Sequence, residues 1–136
     1  MMNVDKDYFE MDLEGLTIEE KIKRLASFYE NLPEPRTEVK NSYLFVDSIG
    51  EFALEINDLD LAEKWGKIGM QYKGIHGLLG EQEFFLGRVY FTKGEMEKAK
   101  EYFVKVHKNS GWRLFRDENL EYRKLVEGKL NNGERN

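Results

Sequence analysis

The sequence predicts an all-α fold of about six helices, arranged as antiparallel helical hairpins. Three observations support this fold class. Apolar residues recur three and four positions apart in successive segments, which is the spacing of one helix face. No segment shows the sustained alternation of apolar and polar residues that a half-buried strand requires. The connections between the predicted helices are short, so each helix should lie antiparallel to the next.

The first predicted helix begins with a capping box. The Thr17 hydroxyl can accept a hydrogen bond from the Glu20 amide, and the Glu20 carboxylate can accept one from the Thr17 amide. The apolar stripe of this helix consists of Ile18, Ile22, Leu25, Ala26, Tyr29 and Leu32. Both prolines of the chain lie within residues 31–36, and proline disfavours helix at the residue before it. We therefore expect a connector there.

The second and third predicted helices form a hairpin. We expect the second helix over residues 37–57, where one face carries Phe45, Ile49, Phe52, Ala53 and Ile56. Asp58 can cap the third helix, whose apolar stripe extends to Tyr72. Residues 74–80 are too rich in glycine for a helix interior, so they predict a loop.

The remaining helices follow the same pattern. We expect the fourth helix over residues 80–92, ending at Gly94, and the fifth from Met96 to a stop at residues 109–111. A short apolar piece follows at residues 112–115. Asp117 can cap a last helix that runs through Leu130.

Composition limits the classes of function. The 136 residues fit a single domain with an acidic extension over residues 1–16. The absence of cysteine excludes disulfides, thiolate metal ligands and cysteine nucleophiles, and is typical of the cytoplasm. We expect no membrane segment, because no apolar run is long enough to span a bilayer and the amino end has no basic region. The net charge of −5 disfavours nucleic acid as a partner.

Two of the predicted hairpins share an internal spacing. Gly50 and Ala62 recur 37 residues later as Gly87 and Ala99. The segment GRVYFTKGEMEKAKEYF, residues 87–103, resembles the tetratricopeptide repeat. If Gly80 is taken as the first residue of the unit, the small and aromatic positions of that family fall on Gly87, Tyr90, Gly94, Ala99 and Phe103. Glu83 and Gly111 depart from the pattern, since the family usually has tryptophan and proline there.

The resemblance implies two degenerate repeats over residues 43–113, followed by a capping helix over residues 114–130. It also implies a short superhelix of stacked hairpins. In such a hairpin Gly87 and Ala99 are small where two helices cross closely, and Gly94 takes the left-handed conformation at a helix end. A plain helical bundle, in which the glycines only relieve helix contacts, remains the alternative.

The sequence contains no recognisable catalytic or metal-binding pattern. The only histidines, His76 and His107, lie on different elements without acidic residues at metal-ligand spacing. The glycines of residues 66–80 lack the preceding strand and the following Gly-Lys-Ser/Thr of a phosphate loop. Carboxylate pairs are common, but 35% of the residues are charged, so they are typical of solvated faces. We predict no enzyme activity, no metal and no cofactor.

We therefore predict a protein–protein interaction module that binds a peptide or protein in a helical groove. Aromatic residues off the core stripes and basic residues that could hold an acidic peptide terminus are the candidate contacts. They are Tyr43, Phe84, Trp112, Arg88, Lys100 and Arg116. The alternative is an acidic immunity- or antitoxin-type inhibitor of a bacterial toxin, because residues 115–122, FRDENLEY, resemble the ending of small bacterial proteins encoded beside toxins. The partner and the oligomeric state stay open.

Overall fold

The computed structural model describes residues 13–74 and 79–128 of the chain. Most of the predicted acidic extension, residue His76 and the end of the predicted last helix lie outside these described residues. The described residues form six α-helices and three short 3-10 helices, without a β-strand. The all-α prediction is therefore confirmed. The chain divides into two compact units, Met1–Tyr72 and Lys73–Asn136, which we call the first and the second unit.

The first unit is a three-helix arrangement. Its helices are α1 (Ile18–Glu30), α2 (Tyr43–Glu55) and α3 (Leu59–Gly69), with 3-10 helices at Arg36–Glu38 and Met70–Tyr72. Neighbouring helices are antiparallel, as predicted. The ring of Phe28, late in α1, stacks on that of Phe45, early in α2, with centroids 5.0 Å apart. Ser42, just before α2, lies 2.6 Å from the Tyr72 hydroxyl, just after α3. Because both α1 and α3 are antiparallel to α2, α1 and α3 are parallel to each other.

Local sequence signals determine two of the helix starts in the first unit. Thr17 and Glu20 form the predicted capping box, with a 3.1 Å bond from the Glu20 amide to the Thr17 hydroxyl and a 2.9 Å bond from the Thr17 amide to the Glu20 carboxylate. Asp58 caps α3 by accepting a hydrogen bond from the Leu61 amide at 3.2 Å. Both predicted caps are confirmed.

The predicted start of α2 at residue 37 is wrong. Residues Arg36–Glu38 form a 3-10 turn, Val39 is extended and buried, and Asn41 has a left-handed backbone with φ 62°. A left-handed residue interrupts an α-helix, so the regular helix begins only at Tyr43. Asparagine tolerates this conformation better than most residues.

The second unit is a hairpin with a third helix beside it. Its helices are α4 (Glu81–Lys93), α5 (Met96–Ser110) and α6 (Leu120–Glu127), with a 3-10 helix at Arg113–Phe115. The α4–α5 pair is antiparallel, since Ser110 at the end of α5 donates a 2.9 Å hydrogen bond to the Leu79 carbonyl just before α4. Gly94 makes the turn with φ 85°, which is the left-handed conformation expected at this helix end.

Gly87 on α4 lies directly against the ring of Phe103 on α5. A Cβ atom on Gly87 would lie 2.5–2.9 Å from three carbons of the Phe103 ring. Ala99 is fully buried one turn earlier on α5. Small residues on α4 and α5 thus leave room for an aromatic ring between the two helices.

The start of the last helix differs from the prediction. Asp117 does not cap it; Asp117 has a left-handed backbone with φ 64°. Asn119 is the cap, and its side-chain oxygen accepts a 2.9 Å hydrogen bond from the Glu121 amide. Helix α6 therefore begins at Leu120, two residues later than a cap at Asp117 would place it.

Candidate functional site

The first unit contains an open groove between α1 and α3, which we call the α1/α3 groove. Its volume is about 310 Å³. One wall comes from α1, and the other from α3 together with the turn before it. The lining residues are Glu19, Ile22, Lys23, Ala26 and Glu30 on the first wall, and Ile56, Asp58, Leu61, Lys64 and Trp65 on the second.

The wall from α1 follows from helix periodicity. Residues three and four apart lie on one face of a helix, so Glu19, Ile22, Lys23 and Ala26 all face the groove. Ile22 is buried at the bottom, whereas Ala26 is half-buried. Because the alanine side chain ends at Cβ, this wall is low at its centre.

The wall from α3 combines an apolar surface with charge. Leu61 is half-buried, and Trp65 is buried at its base. The Lys64 ammonium lies 5.9 Å from the centroid of the Trp65 ring and is exposed. This wall therefore offers an apolar contact surface below a cationic edge.

Two aromatic rings pack together near the carboxyl-terminal end of the groove. Tyr29 of α1 meets Trp65 of α3 edge to face, with centroids 5.6 Å apart, and both rings are buried. The floor of the groove is thus continuous with the core of the first unit.

A series of hydrogen-bonded hydroxyl groups lies beside these rings. The phenolic oxygens of Tyr29 and Tyr72 are 3.0 Å apart, and the Tyr72 oxygen is 2.6 Å from the Ser42 hydroxyl. Ser42 in turn lies 2.7 Å from the Arg36 carbonyl, to which it donates. Burial, with a smaller contribution from Tyr72, raises the pKa of Tyr29 well above its usual value. Tyr29 therefore stays neutral at ordinary pH. The hydrogen-bonded hydroxyl groups connect the end of α1 to the residues that follow α3.

Charge is distributed unevenly along the groove. Because α1 and α3 are parallel, Glu19 and Asp58 lie at the same end, where both helices begin. Glu30 and Lys64 line the opposite end. Among the described residues no ion pair joins the Glu19 or Glu30 carboxylate to a cation. The groove thus has one acidic end and one end of mixed charge.

The basic residues predicted as clamps lie on three separate elements of the second unit. Arg88 on α4 is half-buried, with its guanidinium 5.7 Å from the centroid of the Phe85 ring. Lys100 on α5 is exposed, and so is Arg116 after the 3-10 helix. Their role in binding stays a prediction.

The aromatic residues predicted as exposed anchors are covered to different degrees. Phe84 is only 7% exposed and packs against Phe103, Phe115 and Tyr122, with centroids 5.1–5.9 Å away, so its ring belongs to the core. This burial corrects its expected place at the edge of the core. Trp112 is half-buried, with the His107 ring 4.0 Å and the Arg123 guanidinium 4.3 Å from its ring centroid.

Tyr43, the third predicted anchor, lies at the start of α2 in the first unit. Its side chain is half-buried, and its ring is 6.4 Å from that of Tyr72. Tyr43 is not among the residues that line the α1/α3 groove. Thus none of the six predicted contact residues lines the groove.

An ion pair between a buried carboxylate and an exposed lysine lies at the start of the second unit. Glu83 is 1% exposed, and the Lys73 ammonium lies 2.8 Å from one of its carboxylate oxygens. The bond to Glu83 raises the pKa of Lys73. In the tetratricopeptide pattern tryptophan usually occupies the position of Glu83, so this chain has a charged pair where the repeat has an apolar ring. We interpret the pair as structural.

The sequence signal for the groove was present but ambiguous. Ala26 falls on the apolar stripe of α1, and Leu61 lies four residues before Trp65 on α3, so both resemble core residues. Both are half-buried instead. The one hint was that Lys23 and Lys64 immediately adjoin these stripes, as polar residues do at the border of a groove.

Neither a metal site nor a membrane helix is found in the described ranges. Within residues 13–74 and 79–128, no group of three or more His, Asp or Glu side chains is arranged to hold a metal ion. No helix in the same ranges is both long and apolar enough to cross a bilayer.

Comparison with known proteins returned no match to a protein-family model, a curated protein or a solved structure. The likeness to the tetratricopeptide repeat therefore stays a prediction from sequence. The function has to be argued from the geometry of the chain itself.

Proposed function

We propose that this protein is a non-enzymatic, cytoplasmic interaction module that binds a segment of another protein in the α1/α3 groove. The observation that carries this proposal is the groove itself, which has apolar walls, a charged border and open access on one side. Such a surface provides complementarity to a partner.

The dimensions of the groove suit a peptide segment. Glu19 and Glu30 are eleven residues apart on α1, which corresponds to about 16 Å along a helix. A segment that long can place two or three side chains against Ile22, Leu61 and Trp65. Burying such apolar side chains supplies most of the affinity of a typical interface, and the charged border supplies specificity.

The hydrogen bonds between the carboxyl-terminal ends of the two walls also favour binding. The hydroxyl chain through Tyr29, Tyr72 and Ser42 holds α1 and α3 in place before a partner arrives. A preformed groove loses little conformational entropy on binding, so more of the contact energy remains as affinity.

An acidic inhibitor that neutralises a basic toxin is the second candidate. The net charge of −5 and the acidic end of the groove at Glu19 and Asp58 favour it. An inhibitor of this kind forms a stoichiometric complex with one basic protein, and that complex weakens as salt screens the charges.

The decisive experiment uses two variants on adjacent residues of α1. Ala26→Glu places a charge inside the groove, whereas Ser27→Glu places the same charge on the exposed face beside it. A partner isolated from the native host is identified, purified and titrated against each variant by calorimetry. We expect Ala26→Glu to weaken binding at least about tenfold, because a charge would be buried without a partner, and Ser27→Glu to leave it within about twofold.

Two controls accompany this titration. Circular dichroism and thermal unfolding establish that both variants are folded. Equal losses in the two variants, or no loss in either, would show that binding does not use the groove. A single basic partner whose complex dissociates with rising salt would favour the inhibitor over a general adaptor.

A further inference from the structure

We infer that the occupant of the α1/α3 groove is an amphipathic helix of a partner protein, which lies antiparallel to α1 and α3 and carries Lys or Arg in its last turn. This inference rests on the proposed function and specifies its partner. It is argued from the direction of the two walls and from the charges at the two ends of the groove.

The shape of the groove favours a helix. Both walls are helices, and α1 and α3 are parallel because each is antiparallel to α2. Side-chain ridges of a third helix fit a groove between two helices, and such helix-in-groove recognition uses apolar anchors three, four and seven residues apart. Binding by β-strand addition would need a free strand edge, and the described residues contain no strand. The groove length of about 16 Å corresponds to about three helical turns.

The direction of the walls determines the orientation of the bound helix. Helices α1 and α3 both begin at the end marked by Glu19 and Asp58, so the partial positive charges of two helix N-termini occur there together. The C-terminus of a bound helix carries a partial negative charge. An antiparallel partner brings its C-terminus to this end, in the same relation that α2 already has to both walls.

The side-chain charges support the same orientation. One oxygen of the Asp58 carboxylate accepts a hydrogen bond from the Leu61 amide, and the exposed Glu19 carboxylate lines the same groove. Basic residues in the last turn of the partner would face these two carboxylates and would also stabilise their own helix. At the other end Lys64 would face an acidic residue in the first turn of the partner.

The test uses fluorescent peptides of about 14 residues, held helical by a side-chain staple so that intrinsic helicity does not differ. The first has leucine anchors on one face, Glu in its first turn and Lys in its last. The second has the same composition with the two charged turns exchanged. The third peptide has the sequence of the first, but it lacks the staple and has proline in place of one central residue. Fluorescence anisotropy at low salt measures their binding to the full chain.

We expect the first peptide to bind about three- to tenfold more tightly than the second, since only its charges are opposite to those of Glu19, Asp58 and Lys64 at the exposed border of the groove. The proline peptide should bind at least about tenfold more weakly than the first, because proline breaks the helix. In the double variant Glu19→Lys, Asp58→Asn the preference between the first two peptides should disappear or reverse. Asparagine keeps the cap of α3, so this variant removes charge without removing the helix start.

Other results would contradict the orientation, the helical conformation or the identity of the bound segment. Equal binding of the charge-exchanged peptides, or a preference that persists in the double variant, would refute the orientation. Proline-tolerant binding would refute the helix. Peptide binding that requires removal of residues 1–12 would show that the chain covers its own groove, and concentration-dependent dimerisation lost in Ala26→Glu would show that a second copy does. If no peptide binds while the natural partner still depends on Ala26, the helix fails and the proposed function stands.

Discussion

The phenolic oxygens of Tyr29 and Tyr72 lie 3.0 Å apart in the interior of the first unit. Tyr29 belongs to the last turn of α1, and Tyr72 ends the 3-10 helix that follows α3. Both side chains are buried, so each hydroxyl group needs a partner within the protein. This pair therefore fixes the two walls of the groove at their carboxyl-terminal end.

Removing the Tyr72 hydroxyl should destabilise the first unit. Tyr72→Phe takes away the contacts to both Tyr29 and Ser42 and leaves the buried Tyr29 hydroxyl without its partner. We expect a loss of about 1–3 kcal/mol in the free energy of unfolding, measured by urea denaturation. Tyr29→Phe is the control, since Tyr72 then keeps Ser42, and it should cost less. Equal costs would mean that the Tyr72–Ser42 contact contributes little.

The pKa of Tyr29 leads to a prediction at high pH. Burial raises this pKa in the folded protein above the value of about 10 in the unfolded chain. Below pH 10 both states are protonated, so the full stability is present. Above about pH 10 the unfolded state loses a proton that the folded state keeps, and the free energy of unfolding falls.

The measurement compares urea unfolding of the native chain and of Tyr29→Phe between about pH 9 and pH 11. The native chain should lose stability more steeply, because only it contains this tyrosine. Lysines and the other tyrosines titrate in both proteins and cancel in the comparison. Parallel curves would contradict the assignment of the shifted group to Tyr29.

The ion pair of Glu83 and Lys73 should respond asymmetrically to substitution. Glu83 is buried, whereas about half of the Lys73 side chain is exposed. Lys73→Met leaves a buried carboxylate without a counter-charge, while Glu83→Gln leaves only a lysine that water can solvate. We expect Lys73→Met to lower the midpoint of thermal unfolding more than Glu83→Gln does. The opposite order would mean that the Glu83 carboxylate is solvated.

Most helix positions could be predicted from sequence because their causes are local. The capping box of Thr17 and Glu20 needs only four residues, and so does the Asp58 cap. The errors at the starts of α2 and α6 have a different origin. Asn41 and Asp117 adopt left-handed backbones, and nothing in their immediate neighbours distinguishes them from ordinary helix residues. Packing of the whole unit decides such positions.

The groove could not be predicted for a related reason. Ala26 and Leu61 have the spacing of core residues, and a sequence does not tell whether another helix covers them. Phe84 shows the converse. The sequence predicts Phe84 off the core stripe, yet its ring packs against three other aromatic rings. Exposure depends on residues distant in sequence, so contact surfaces are harder to predict than helices.

The contact between Gly87 and Phe103 predicts that an alanine at position 87 lowers the free energy of unfolding, although alanine ordinarily stabilises a helix. Replacing glycine by alanine inside a helix ordinarily stabilises it by about 0.5–1 kcal/mol. At Gly87 the added methyl group would lie 2.5 Å from the Phe103 ring. We expect Gly87→Ala to lower the free energy of unfolding by about 1–3 kcal/mol instead, because the ring has to move within a packed core.

A double-mutant cycle separates this clash from other effects. Phe103→Leu replaces the rigid ring by a smaller, flexible side chain, so Gly87→Ala should cost much less in that background. Gly94→Ala is the matched control. It also destabilises, since Gly94 has φ 85°, but an added Cβ would meet no atom within 4 Å. Phe103→Leu should therefore leave the cost of Gly94→Ala unchanged, and rescue of both variants would show that the leucine acts by a general relaxation of the unit.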